Sequence, residues 1–147
     1  MTAAVKLLVR DKDDIEVVSA LLQDALCAPE DMSYEKAAGE FLAVVNRFCW
    51  EQPATTDTQG ERPVFARAMA GLRIGGVISV QQRGMEARSG FYNLLAIEYE
   101  KPDQRLRLIF SAGAEVQLQL SELRLVVADL SADYPTAVRP AHDTPKE

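Results

Sequence analysis

Four sets of residues in this sequence have types suited to chemistry. Cys27 and Cys49 are its two thiols. Side by side they would make a redox pair, but there is no Cys-x-x-Cys spacing to depress a thiol pKa. Two small core residues in a reducing compartment is the simpler reading. His142 is the single histidine, with Arg139 and Asp143 near enough to tune a general acid–base group. Its surroundings, SADYPTAVRPAHDTPKE, predict an irregular tail that positions nothing well. Glu98 and Glu100 have the look of a carboxylate pair. Each is expected opposite an arginine on the next strand, the ordinary surface solution. Asp11, Asp13, Asp14 and Glu16 would suit a cation, yet they lack the glycine and distal glutamate of a calcium loop. Acids at that place serve a helix start equally well. The sequence has no phosphate loop, nucleophile elbow or dinucleotide fingerprint. It therefore nominates no catalytic residue, metal ligand or cofactor, and the balance leans away from an enzyme.

The fourth set is basic. From Arg62 to Arg88 the chain holds five arginines and one acid, a net of +4 in a protein of net charge −6. Arg67, Arg73 and Arg83, with Phe65, fall on one predicted strand face. Arginine grips carboxylate or phosphate with two parallel hydrogen bonds and stacks on aromatic rings. An acidic protein partner fits that face, as does self-association through residues 1–40, which hold nine acids against four basic residues. Nucleic acid is disfavoured by the acidic total.

These residues must be held by strands. Val5 to Val9 is a short apolar run. Asp11 then caps a helix over about residues 12–23, with Ile15, Val18, Leu21, Leu22 and Ala25 on its buried face. A hairpin follows around Ala37-Ala38-Gly39. Its expected register pairs Tyr34 with Leu42, Met32 with Val44 and Cys27 with Cys49, and puts Leu42, Val44 and Phe48 on the apolar face. Residues 51–62 read as a surface loop. Val64 to Ile74 alternates, with small residues Ala66, Ala68 and Ala70 on one side, as if another element approached closely. Gly75-Gly76 predicts a hairpin pairing Leu72 with Ile78, which gathers Arg67, Arg73, Ser79, Gln81 and Arg83 on the opposite face. A meander follows, with Tyr99 against Leu106, Ile97 against Leu108, Leu95 against Phe110, and then Phe110 against Val116. Leu123 to Leu130 is a further strand or a helix, since a short apolar run does not decide.

The expected architecture is α+β, mostly antiparallel hairpins and meander, the sheet closing into a barrel-like or sandwich form, with one main N-terminal helix. The 147 residues suit one domain over 1–131 with an irregular tail over 132–147. No stretch matches a membrane span or a signal peptide, so a cytoplasmic location is expected. The chain resembles a small bacterial family, domain of unknown function 2948. The stretches that carry the resemblance are Ala20-Leu21-Leu22-Gln23-Asp24-Ala25, Asn46-Arg47-Phe48-Cys49-Trp50-Glu51, Ala70-Gly71-Leu72-Arg73, Leu94-Leu95-Ala96-Ile97 and Arg139-Pro140-Ala141-His142-Asp143. None is a catalytic signature, and the resemblance implies no active site.

Overall fold

A computed structural model describes residues 5–52, 55–56, 63–85 and 90–136. Arg62, Glu86, Arg88, Arg139, His142 and Asp143 lie outside the described residues. In chain order the elements are β1 (Lys6–Val9), α1 (Lys12–Leu21), β2 (Ala25–Cys27), β3 (Met32–Glu35), β4 (Glu40–Phe48), β5 (Thr55–Thr56), β6 (Pro63–Ile74), β7 (Val77–Arg83), β8 (Tyr92–Glu100), β9 (Arg105–Phe110), β10 (Glu115–Leu120), β11 (Leu125–Asp129) and β12 (Tyr134–Thr136). The strand ladder runs β1-β11-β6-β4-β2-β8-β9-β10-β7, antiparallel throughout. Its two ends are not hydrogen-bonded into a ring, so the α+β antiparallel expectation holds while closure into a barrel does not.

The helix forms where its cap and periodicity put it. The Asp11 carboxylate accepts from Asp14 N–H at 3.1 Å, and Ile15, Val18 and Leu22 are buried. Ser19 Oγ accepts from Ile97 N–H at 3.0 Å, tying the helix to β8. One apolar cluster joins α1 to β4, β6, β8, β9, β10 and β11.

Local pairings followed the sequence well. Tyr99 meets Leu106, Ile97 meets Leu108, and the pairs Glu98–Arg107 and Glu100–Arg105 lie opposite each other. A bulge at Leu95 then shifts the register, so Leu94 and not Leu95 faces Phe110. β9 and β10 are slipped by two residues from expectation, with Val116 opposite Leu108, which leaves the faces unchanged. Leu125–Asp129 is a strand, which settles that ambiguity.

Three larger expectations were wrong. The β3–β4 register is off by one: Tyr34 faces Phe41 and Ser33 faces Leu42, around a four-residue loop whose Gly39 has a positive φ. Because strand faces alternate, one residue reverses the faces. Phe41, Ala43, Val45 and Arg47 therefore point into the core, and Leu42 and Val44 point out. Cys27 is not opposite Cys49 either; it lies on β2, opposite Tyr92.

The second error is the glycine turn. β6 and β7 form no hairpin, because β6 is an interior strand with β4 on one side and β11 on the other. Gly75-Gly76 instead carries the chain across to the far end of the ladder, where β7 pairs with β10. The crossing is held by backbone bonds from Gly75 N–H to Arg124 O, from Ser121 N–H to Gly76 O and from Val77 N–H to Gly39 O. A side chain at Gly75 would stand 2.7 Å from Arg124 Nη2.

The third concerns segments expected to be irregular. Thr55–Thr56 pairs with Val64 and Pro63, and Tyr134–Thr136 pairs with Arg67, Ala66 and Phe65. The outer part of β6 thus has neighbours that the composition of those segments did not suggest.

Candidate functional site

The three arginines do not share a surface. Arg67 and Arg73 project from the same side of β6, but six residues of strand separate them by about 20 Å. Arg83 is on β7, at the other end of the ladder.

Arg67 is half-buried and engaged. Its Nε donates to Asn46 Oδ1 at 2.9 Å, and its Nη2 donates to Asn46 O at 3.2 Å. The guanidinium sits 5.7 Å from the Phe48 ring centre. Burial lowers its pKa, against the pull of Tyr134, Cys49 and Asp24. Phe65 packs on Phe48 with ring centres 5.7 Å apart, and it lines a cleft of about 250 Å³ with Gln52 and Tyr134. Arg83 faces Glu115 across the β7–β10 ladder. Hydrogen bonds from Arg107 and Gln117 hold that glutamate at a pKa of about 2, with Arg83 adding to the effect. Arg83 itself is exposed and makes no ion pair among the described residues. Arg67 has found its partners within the fold.

Arg73 has not. It is exposed, and no carboxylate lies within ion-pair distance of it among the described residues. The registers place it in a row across four strands, Leu8–Val126–Arg73–Leu42, beside a second row, Lys6–Ala128–Gly71–Val44. Together they make a groove of about 440 Å³ on the outer face, with Leu130 at its side. Gly71 forms the low point, where an added Cβ would be 3.3 Å from Leu130 Cδ1. The surface is apolar apart from Arg73 and Lys6, and Leu8, Val44 and Leu130 are exposed on it.

Sequence reasoning missed the most tightly held charge. Arg47 is only 1% exposed. Its Nε and Nη2 donate to the two oxygens of Asp129 at 2.8 and 3.0 Å, and its Nη1 and Nη2 donate to those of Glu51 at 3.0 and 2.9 Å. Asp129 Oδ2 also accepts from Val5 N–H at 2.9 Å. Burial alone would lower the Arg47 pKa, but the hydrogen bonds with Asp129 and Glu51 raise it above the usual value. Burial likewise opposes ionisation of Asp129, yet the bonds from Arg47 and Val5 keep its pKa below the carboxylate norm. The bond from Arg47 does the same for Glu51.

The small residues of β6 now have their explanation. Arg47 lies opposite Ala68, and Asp129 lies opposite Ala70. The ion pair reaches over β6, which separates β4 from β11, and only small side chains leave it room. The close approach expected there comes from a salt bridge.

These shifts fix the acid limit of the fold. A carboxylate whose folded pKa lies below its unfolded value contributes stability above the unfolded value, and that contribution is lost as pH falls through the folded value. Stability is expected to be level from neutrality to about pH 5 and to fall as pH drops below the ordinary carboxylate range, about 4. Trp50, whose indole donates to Gln23 O at 2.9 Å, is the fluorescent reporter. An acid midpoint above about pH 5 would mean that other groups set the limit.

The remaining candidates have ordinary surroundings. Glu98 and Glu100 bond to Arg107 and Arg105 at 3.1 and 3.0 Å on the surface. Both cysteines are buried and unbridged. Burial, with Asp31 and Glu30 nearby, pushes the Cys27 thiol up to about 12. Burial also raises that of Cys49, against the opposing charge of Arg47. Among the described residues no group of three or more His, Cys, Asp or Glu is placed to hold a metal ion. No helix among them is long and apolar enough to cross a membrane.

A family model described as "Protein of unknown function (DUF2948)" matches residues 5–142. No curated protein and no solved structure matches the chain.

Proposed function

The chain belongs to the DUF2948 family, and we propose that it is a small non-catalytic binding module of the cytoplasm. Its outer face over β1, β11, β6 and β4 holds an acidic, partly apolar segment of a partner protein. The observation that carries this reading is the groove itself: an apolar surface with two exposed cations, Lys6 and Arg73, that have no carboxylate at ion-pair distance among the described residues. Apolar surface gives such a segment affinity, and the cations select its charge and speed its approach. A second copy of this chain is one partner of that chemistry, because Asp13, Glu16 and Val17 are exposed on α1.

Anilinonaphthalene sulfonate, an apolar anion, probes the groove directly. Its fluorescence is expected to rise on binding and to weaken with salt. Lys6→Glu and Arg73→Glu should each lower its affinity by up to roughly fivefold, the range for exposed charges. Val44→Asp should weaken it further. Binding that ignores salt and all three substitutions overturns the reading.

A further inference from the structure

We propose that the N-terminal end of α1 is a second and separate site, one that takes a phosphate-bearing ligand. Three stretches distant in sequence meet there around a cavity of about 320 Å³. Arg10, Asp11 and Lys12 come from the start of the helix, and Tyr99 comes from the end of β8. Lys101 and Gln104 come from the β8–β9 turn, and Glu122 and Leu123 from the segment before β11.

The charges at this cavity are unevenly committed. Arg10, Lys12 and Lys101 are exposed, and none has a carboxylate within ion-pair distance among the described residues. The two acids in the lining are already engaged: Asp11 accepts from Asp14 N–H at 3.1 Å, and Glu122 lies 3.4 Å from Arg124. Asp13 and Asp14 do not line the cavity.

Tyr99 is the second observation. Its ring belongs to the apolar core and the residue is only 8% exposed. Among the described residues its hydroxyl makes no hydrogen bond, and it is not sealed from solvent in the interior. The phenol thus presents an unused donor at the cavity wall. Three cations and one phenol, beside the start of a helix whose Asp14 amide is already capped by Asp11, form a donor set for a tetrahedral oxyanion. The cavity leaves space beside the phosphate for a small organic remainder.

The test uses the full chain and inorganic phosphate, read as a thermal shift against chloride at matched ionic strength. Glycerol phosphate forms a second arm. A saturable rise in Tm with either is expected, and tighter binding of the ester would identify the ligand as an organic phosphate rather than the free ion. Lys12→Glu, an acid at a position the helix dipole favours, should remove most of the effect while the protein stays folded. Lys101→Glu should do the same. Tyr99→Phe keeps the ring in the core and should weaken binding roughly tenfold, the loss of one hydrogen bond to a charged group. The proposal is overturned if phosphate does no more than chloride, or if its effect survives Lys12→Glu, Lys101→Glu and Tyr99→Phe alike.

Discussion

Replacing Arg47 with alanine is expected to destabilise the fold by about 3–5 kcal/mol, because it strands a buried carboxylate. Asp129, 5% exposed at its side chain, would keep only the Val5 N–H of the hydrogen bonds that now hold its charge, and Glu51 would lose its anchor. Urea unfolding followed by Trp50 fluorescence measures the loss, and Tm should fall by about 10 °C for a chain of this size. Two further variants separate charge from shape. Arg47→Lys keeps the charge but not the two-pronged geometry, so it should recover little. Arg47→Met with Asp129→Leu removes both charges and fills the space, and it should be much closer to the parent than Arg47→Ala. A cost below about 1 kcal/mol for Arg47→Ala would mean that the pair is worth no more than a surface one.

The second large effect is expected at Ala68, a position that makes no polar contact of its own with its side chain. Ala68→Leu should cost about 3 kcal/mol, at the upper end for overpacking, since the added atoms meet an ion pair and not a compliant apolar chain. In the Arg47→Ala background the same substitution enters the emptied space and should cost far less. A double-mutant cycle should give a coupling above about 1 kcal/mol. If the two changes are additive, the bridge does not pass over Ala68 and the alanines of β6 need another account.

What the sequence revealed depended on distance along the chain. The Asp11 cap and the Glu98–Arg107 and Glu100–Arg105 pairs are local, and their residue types announce them. Gly75-Gly76 misled because β7 suits β6 and β10 about equally by pattern. The ladder was decided by β11, some fifty residues further on, which takes the edge of β6. The register of β4 failed for a related reason. Treating Arg47 as a surface charge made its face look mixed, and the opposite face then won. A signal was present: Arg47 is in phase with Phe41 and Val45, Asp129 is in phase with Leu125 and Val127, and the strand between them is lined with alanine. Opposite charges in phase with two apolar faces, with small residues between, describe a buried bridge. Of the candidate face, Arg67 is taken up by Asn46 and Phe48 of β4, and Arg83, though exposed, lies at the far end of the ladder from Arg73.

The pairing of β1 with β11 also bears on biosynthesis. Lys6 meets Ala128, and Val5 N–H reaches Asp129 across 124 positions of sequence. β1 thus leaves the ribosome well ahead of its neighbour β11 and is among the last of these strands to be paired. At about 5–20 residues per second it waits roughly 6–25 seconds, with Leu7, Leu8 and Val9 unpaired. Arg47 can meet Glu51 early, but its second carboxylate, Asp129, emerges only with β11, so the bridge stays incomplete until then. Premature termination anywhere ahead of β11 would release a chain whose Arg47 lacks its Asp129 partner and whose β1 and β6 lack the strand between them, a substrate for chaperones and proteases rather than a smaller folded protein.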